Sequence, residues 1–221
     1  MAKAYLEPEA VEQMERATTC VRDRLLIRVI FWLGCRVSEA LGIRVEDVDI
    51  DQGAVTIKHL KARTRLLCPY CETRMSRAAK FCPGCGKEVP KPIQRQQEAH
   101  RQRTVPLDEE TMNLLTDFIN RDHTEGLIFK IGRTQAWKIV KDCAERAGLG
   151  KLVNPETGEI RGVSPHRLRD AFAVMAVQAD DSTDAVRMLQ EQLGHQSIGT
   201  TMKYRKIAGR EQKEWYAKLT G

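Results

Sequence analysis

Val11, Met14 and Ala17 recur at helical spacing behind Pro8, a residue suited to a first turn, and predict a short helix over 8–18. Arg22 to Leu33 reads as a second helix, strongly apolar and closed by Gly34, and Arg36 to Leu41 begins another helical turn. Val45–Ile50 and Ala54–Leu60 read as strands on either side of the turn signal Asp51-Gln52-Gly53, and 100–107 supplies a third strand. Helices then resume. One runs from Asp108-Glu109-Glu110 to about Asn120, with its acids where the helix dipole favours them. The next runs from Arg133 or Thr134 to Ala147, closed by Gly148. Pro165 to about Ala179, Asp184 to Leu193 and Thr200 to Ile207 follow, with Gly194 ending the second of these. Arg210 to Leu219 is a polar terminal helix with Trp215 and Leu219 as apolar anchors. Leu127-Ile128-Phe129 is a short apolar piece, and 154–158 is a surface turn. The pattern as a whole is mainly α with a small antiparallel β-sheet (α+β).

The chain of 221 residues is long enough to bury a core without disulfides. Its most apolar run, Leu25 to Leu33, is interrupted by Arg28 and too short to span a bilayer, and no basic-then-apolar leader follows Met1. A buried helix is expected there, no membrane partner, and a cytoplasmic location. The net charge of +6 is concentrated in one place: 12 Lys and Arg stand against 3 Asp and Glu between Lys58 and Arg103, and 24 against 27 elsewhere. That imbalance fits either a local basic surface facing a polyanion or a solvated charged loop.

Four of the seven cysteines explain what the basic stretch is built on. Cys68-Pro69-Tyr70-Cys71 and Cys82-Pro83-Gly84-Cys85 are two knuckles with ten residues between them. Each turn aims two sulfurs at one point, and two such turns make a closed tetrahedral site of four thiolates, as in a zinc ribbon. The metal expected is Zn2+, bound by Cys68, Cys71, Cys82 and Cys85. A closed site leaves no position for water, so the ion is structural, and so short a segment needs it to fold.

The last third of the chain carries the remaining chemistry. Ser164-Pro165-His166-Arg167-Leu168-Arg169, Leu193-Gly194-His195 and Thr200-Thr201-Met202-Lys203-Tyr204 set two His, an Arg and a Tyr in short turns or helix ends, with His195 and Tyr204 nine residues apart. His166 and Arg169 share a face at a helix start, where free N–H groups also welcome an anion. With the upstream stretch LGCRVSEALGIRVEDVD and the strand Arg103-Thr104-Val105-Pro106-Leu107, this order resembles the tyrosine recombinase (phage integrase) family.

The resemblance covers the chain outside 68–100 and implies a catalytic domain formed by 1–66 and 101–221. The inserted module then occupies 67–100 of a β-hairpin, and the family's N-terminal core-binding domain, which clamps the other side of the DNA, is not expected within this sequence, be it a minimal recombinase or a fragment. Arg36 and Arg169 become the two arginines that fork onto a phosphodiester, whose charge grows from one to two in the pentavalent transition state. Tyr204 becomes the nucleophile, His166 its base, and His195 a hydrogen-bond donor to a phosphate oxygen. Lys61 fits the family's lysine best, protonating the departing 5′ oxygen. Lys58 competes, but an odd separation puts the two on opposite faces of a strand. Glu39 orients the turn of Arg36. Asp170 stands where relatives carry a basic or neutral residue, so that turn departs from the family's pattern.

The reaction implied is cutting and rejoining of double-stranded DNA through a 3′-phosphotyrosyl link, without catalytic metal or nucleotide. It serves site-specific recombination of a mobile element or replicon in a prokaryote or virus. The partners implied are other protomers in a dimer or tetramer on DNA, with an accessory protein allowed. The basic cysteine module is expected to take over part of the DNA-clamping role of the family's core-binding domain. The competing readings are a type IB topoisomerase-like or resolvase-like enzyme, or a zinc-ribbon DNA-binding protein with relic catalytic residues.

Overall fold

The computed structural model describes residues 5–58, 63–97, 102–121, 124–153, 158–208, 216–217 and 219–220. In chain order lie α1 (Pro8–Arg16), α2 (Val21–Trp32), α3 (Val37–Ala40), β1 (Val48–Asp49), β2 (Ala54–Lys58), β3 (Arg63–Leu67), β4 (Arg74–Met75), β5 (Ile93–Gln97) and β6 (Gln102–Pro106). After them come α4 (Glu109–Arg121), α5 (Arg133–Arg146), β7 (Leu152–Val153), β8 (Ile160–Arg161), α6 (Pro165–Ala179), α7 (Thr183–Leu193) and α8 (Ile198–Ala208). The chain is mainly helical with small antiparallel sheets. It divides into two compact units, Met1–Lys58 with Gln102–Gly221, and His59–Arg101. The divide falls outside β3 and β5, whereas the sequence reading set the module's edges at 67 and 100. β3 and β5 pair with each other, so they travel with the inserted unit.

In the larger unit α2 is the central element, packed by α1, α4 and α6. Every residue from Leu25 to Phe31 is buried, including Arg28. A buried guanidinium needs partners on every side. Arg28 has them: Glu15 at 2.9 Å, Asp108 at 2.9 Å and the Thr111 hydroxyl at 2.9 Å. The charge that interrupts the apolar run therefore ties α1 and the start of α4 to the core helix.

The sheet of this unit has the order β1-β2-β6 and is antiparallel, with Val55 opposite Val105 and Ile57 opposite Arg103. Val55, Ile57 and Val105 bury one face. The strand expected over 45–50 is reduced to Val48–Asp49. Val45–Asp47 is instead a 3-10 turn, because Asp47 Oδ2 accepts the Arg44 N–H at 3.0 Å and Val45 N–H donates to Gly126 O at 2.9 Å. On either side of the turn expected at 154–158, Leu152 pairs with Arg161 and Val153 with Ile160. Residues 154–157 lie outside the described residues, as do His100, Arg101 and most of the expected terminal helix, including Trp215. α8 starts at Ile198, two residues earlier than its apolar pattern predicts. Among the described residues no helix is long and apolar enough to cross a membrane.

The smaller unit is a sheet of order β4-β3-β5 joined to two turns with the same hydrogen bonds. Cys68 O accepts from Glu72 N–H at 3.0 Å, and Cys82 O accepts from Gly86 N–H at 2.9 Å. Cys68 N–H donates to Thr73 O, and Cys82 N–H to Lys87 O. Gly86 takes a left-handed φ of 71°, and Glu72 takes the matching 54° without glycine's freedom. The buried centre is small: Cys68, Met75, Cys82 and Val89.

Candidate active site

Four helix ends, the middle of α8 and one strand bring predicted residues of the larger unit together. α2 closes with Gly34 in a left-handed conformation, φ 55°. A Cβ there would stand 2.6 Å from the Phe172 ring, so α6 packs directly against this turn. The chain then enters α3 with Arg36 at its N-cap. Glu39, one turn on, reaches back. Its Oε2 accepts the Arg36 N–H at 3.0 Å and its Oε1 pairs with the Arg36 guanidinium at 2.9 Å. The same carboxylate takes Arg103 Nη2 from β6 at 2.8 Å and stands 4.0 Å from Arg169 Nη1. One buried acid thus gathers three arginines, leaving the cradle positively charged.

Arg169 is 1% exposed and held by backbone as well. Nη1 donates to Gly34 O and Nη2 to Leu193 O, each at 2.8 Å, which fixes its fork between the ends of α2 and α7. α7 ends at Gly194, φ 65°, and turns His195 back towards that fork. His195 Nε2 lies 2.9 Å from Arg169 Nη2, and Nδ1 lies 2.9 Å from the Thr201 hydroxyl. An arginine only donates, so Nε2 is the acceptor and the proton sits on Nδ1. Burial, then Arg169 and Arg36, pull the imidazole down to about 4, so it is neutral at pH 7.

Tyr204 projects from α8 with its ring stacked on that of His195, centroids 6.2 Å apart and planes at 12°. It is 7% exposed, and its hydroxyl donates to Asp170 Oδ1 at 2.9 Å. Burial first, and Asp170 second, push the phenol well above its ordinary range. His166, with a side chain 73% exposed, lies at the open end of the site, Nε2 3.8 Å from the same Asp170 oxygen. Arg167 Nη1 reaches the other Asp170 oxygen at 3.4 Å.

The two candidate lysines separate. Lys58 ends β2 in an ion pair with the buried Asp47. Lys61 lies outside the described residues. Arg36, Arg169, His195 and Tyr204 are joined by direct or shared contacts, and His166 connects to them through Asp170. Three participants escaped the sequence reading. Arg103 entered only as part of the family-like strand, Thr201 only as part of the stretch leading to Tyr204, and Asp170 only as a departure from the family's pattern. The two-residue period of β6 does place Arg103 and Val105 on one face, but which face meets Glu39 depends on the packing of α3.

In the smaller unit the four cysteines Cys68, Cys71, Cys82 and Cys85 have their sulfurs within 4.8 Å of one another. Cys68 and Cys85 sulfurs are 3.7 Å apart, and those of Cys71 and Cys82 3.4 Å. Four sulfurs about 2.3 Å from one ion sit roughly 3.8 Å apart, so the set fits a tetrahedral metal. The backbone N–H groups of Tyr70 and Gly84 point at Cys68 and Cys82 sulfurs from 3.4 Å and 3.3 Å, as thiolates require. A Cβ on Gly84 would collide with Thr73, so the knuckle closes only with glycine there.

Residues 5–92 and 87–211 match the phage integrase family. Tyrosine recombinase XerD of Mycobacterium tuberculosis (strain CDC 1551 / Oshkosh) is 26% identical over 203 residues, 89% of this chain and 51% of that protein. The crystal structure of XerA recombinase superposes with a TM-score of 0.64 at 18% identity, covering 97% of this chain and 64% of that one. That of XerH site-specific recombinase, in a post-cleavage complex with a palindromic difH substrate, has a TM-score of 0.64 at 20% identity, covering 100% of this chain and 54% of that one. These likenesses give the larger unit the recombinase catalytic fold. The chain spans about half the length of the curated relatives it matches. With its arginine cradle, stacked His–Tyr pair and two family matches that together span most of its length, the chain belongs to the phage integrase family.

Proposed function

We propose that this protein cuts and rejoins double-stranded DNA through Tyr204, in site-specific recombination of a mobile element or replicon. The observation that carries the reading is the convergence of Arg36, Arg169, His195 and Tyr204 on one cradle, in a chain of this family. A phosphodiester seated there meets the combined positive charge of Arg36, Arg103 and Arg169. Three guanidiniums held by one carboxylate favour the doubly charged transition state over the singly charged substrate. Because they are pre-set by Glu39 and by carbonyls, little reorganisation accompanies the reaction. Tyr204 attacks phosphorus, the 3′ phosphate becomes joined to the protein, and the 5′ hydroxyl is free to attack in turn. His166, one carboxylate away from the Tyr204 hydroxyl, serves the proton that leaves it. His195 takes up a proton as the phosphate arrives and then donates to a phosphate oxygen. Lys61 protonates the 5′ oxygen; the engagement of Lys58 by Asp47 supports that choice.

The four cysteines hold a structural Zn2+, which fixes the two knuckles and takes no part in the chemistry. The basic unit built on them faces DNA. The protein acts as a dimer or tetramer on its sites, in the cytoplasm, and is encoded by a prokaryote, a virus or a mobile element.

The test is capture of DNA that stays attached through SDS, followed by sequencing of its ends, with wild type, Tyr204→Phe and Tyr216→Phe. Wild type and Tyr216→Phe should retain DNA and Tyr204→Phe should not. Loss in both tyrosine variants, or retention in both, would overturn the assignment. Absence of covalent DNA in every case, with reversible binding intact, would leave a DNA-binding protein with relic residues.

A further inference from the structure

The hydroxyl of Tyr204 has its hydrogen bond to Asp170, not to the histidine to which the family resemblance assigns its proton. Asp170 Oδ1 accepts at 2.9 Å, and His166 Nε2 stands beyond it, 3.8 Å from that oxygen. The three groups form a line from the buried phenol, through a carboxylate of which 14% is exposed, to an imidazole open to solvent. His166 and Asp170 lie one helical turn apart on α6, so the helix itself sets this order. Arg167 on the other carboxylate oxygen keeps Asp170 turned towards Tyr204. The ring of Tyr204 is held from behind by His195.

We propose that Asp170 is a catalytic residue of the cleavage reaction: it receives the Tyr204 proton as the tyrosine attacks, and His166 connects it to solvent. The inference rests on the recombinase reading above. In the step, the bond from Tyr204 Oη to phosphorus forms while the bond from phosphorus to the 5′ oxygen breaks. The phenolic proton moves to Asp170 Oδ1, making a neutral carboxylic acid, and the 5′ oxygen takes a proton from Lys61. On rejoining, Asp170 returns its proton to the departing Tyr204 oxygen and Lys61 takes one from the attacking 5′ hydroxyl.

The electrostatics suit a nucleophile that is inert at rest. Burial first, and the Asp170 carboxylate second, oppose a free phenolate and push the phenol up. The carboxylate's part of that opposition disappears when it holds the proton itself. The groups facing the pair are His166 and Arg167 from the same helix as Asp170, Arg169 and Arg36 acting on Tyr204 from the cradle, and the stacked His195. The two arginines favour transfer by stabilising negative charge on the oxygen that loses the proton.

The experiment follows covalent complex formation on a nicked duplex carrying the ends recovered by SDS capture, over a range of pH. Asp170→Asn keeps an oxygen for Tyr204 but cannot take its proton. It should bind the duplex normally and form the complex ~10²–10⁴-fold more slowly at neutral pH, with a rate that climbs as hydroxide takes over. A fluorinated tyrosine at position 204, with a more acidic phenol, should recover most of that loss. His166→Asn should lose less than Asp170→Asn. If the asparagine variant reacts as fast as wild type or faster, or if the acidic tyrosine gives no recovery, Asp170 is not the acceptor. Should Asp170→Asn fail to fold, Asp170→Glu restores the carboxylate and must restore the wild-type pH profile; an altered profile overturns the assignment. Wild type forming no covalent complex at all would instead sink the recombinase reading and this inference with it.

Discussion

Glu39→Gln is the substitution that most directly tests how the cradle is assembled. Glu39 is buried and its two oxygens meet the Arg36 N–H at 3.0 Å, the Arg36 guanidinium at 2.9 Å and Arg103 at 2.8 Å. Glutamine keeps the shape and one acceptor but removes the charge, and turns an amide N–H₂ towards a guanidinium. Removing one partner of a buried ion pair costs about 3–5 kcal/mol. The Arg36 side chain is 37% exposed and recovers part of that in water, so roughly 2–3 kcal/mol is expected. For a chain of this size each kcal/mol is worth about 2–4 °C, giving a fall in Tm of roughly 5–10 °C. Thermal unfolding followed by circular dichroism reads it. A few millimolar sulfate, compared with chloride at equal ionic strength, should narrow the deficit, because an anion in the cradle replaces the lost charge. A Tm within about 1 °C of wild type would refute the reasoning, since it would mean that the arginines hold their positions without the acid.

Three further outcomes follow, two from His195 and one from the cysteine cluster. His195 has its pKa lowered to about 4, so at pH 7 the DNA-free protein holds it neutral. A phosphate beside it favours the charged form, so DNA binding should take up a proton and weaken as pH rises; calorimetry in buffers of different ionisation enthalpy detects this, and His195→Gln should abolish it. Without DNA the sign is fixed by the depressed pKa. The unfolded chain binds the proton that the folded one refuses, so stability present above pH ~6.5 is lost as pH falls towards 4. For the cysteine unit, chelation or Cys68→Ser should open the segment from Leu66 to Gln94 to protease while the larger unit stays resistant, and metal analysis should return about one zinc per chain. Equal resistance of both units after full metal removal would count against a structural ion.

What the sequence determined by itself is what short-range rules specify. Helices α1, α2, α4, α5, α6 and α7 announce themselves by period and by end signals, as in Pro165 at the start of α6 and Gly194 at the end of α7. The cysteine knuckles were legible because each sulfur pair is set within a four-residue turn. The family's residue order pointed to Arg36, Arg169, His195 and Tyr204 for a similar reason: each lies in or beside a short stretch that can be recognised locally, Arg36 and His195 at helix ends, Arg169 in the second turn of α6 and Tyr204 within α8. Packing alone decided the rest. Arg28 looked like an interruption until α1 and α4 supplied Glu15 and Asp108. β1 is short because the Asp47 side chain accepts the Arg44 N–H and closes a 3-10 turn ahead of it.

The contacts that make a cradle of the four residues cross large distances along the chain. Arg169 reaches the Gly34 carbonyl across 135 positions, and Arg103 reaches Glu39 across 64. Asp170 meets Tyr204 across 34 positions, and that contact exists only because α6 and α8 lie side by side. Periodicity fixes which face of an element is apolar; it carries no information about which polar atom of another element arrives opposite it. That choice belongs to the three-dimensional packing, where desolvation makes each buried charge seek the partner it ends with.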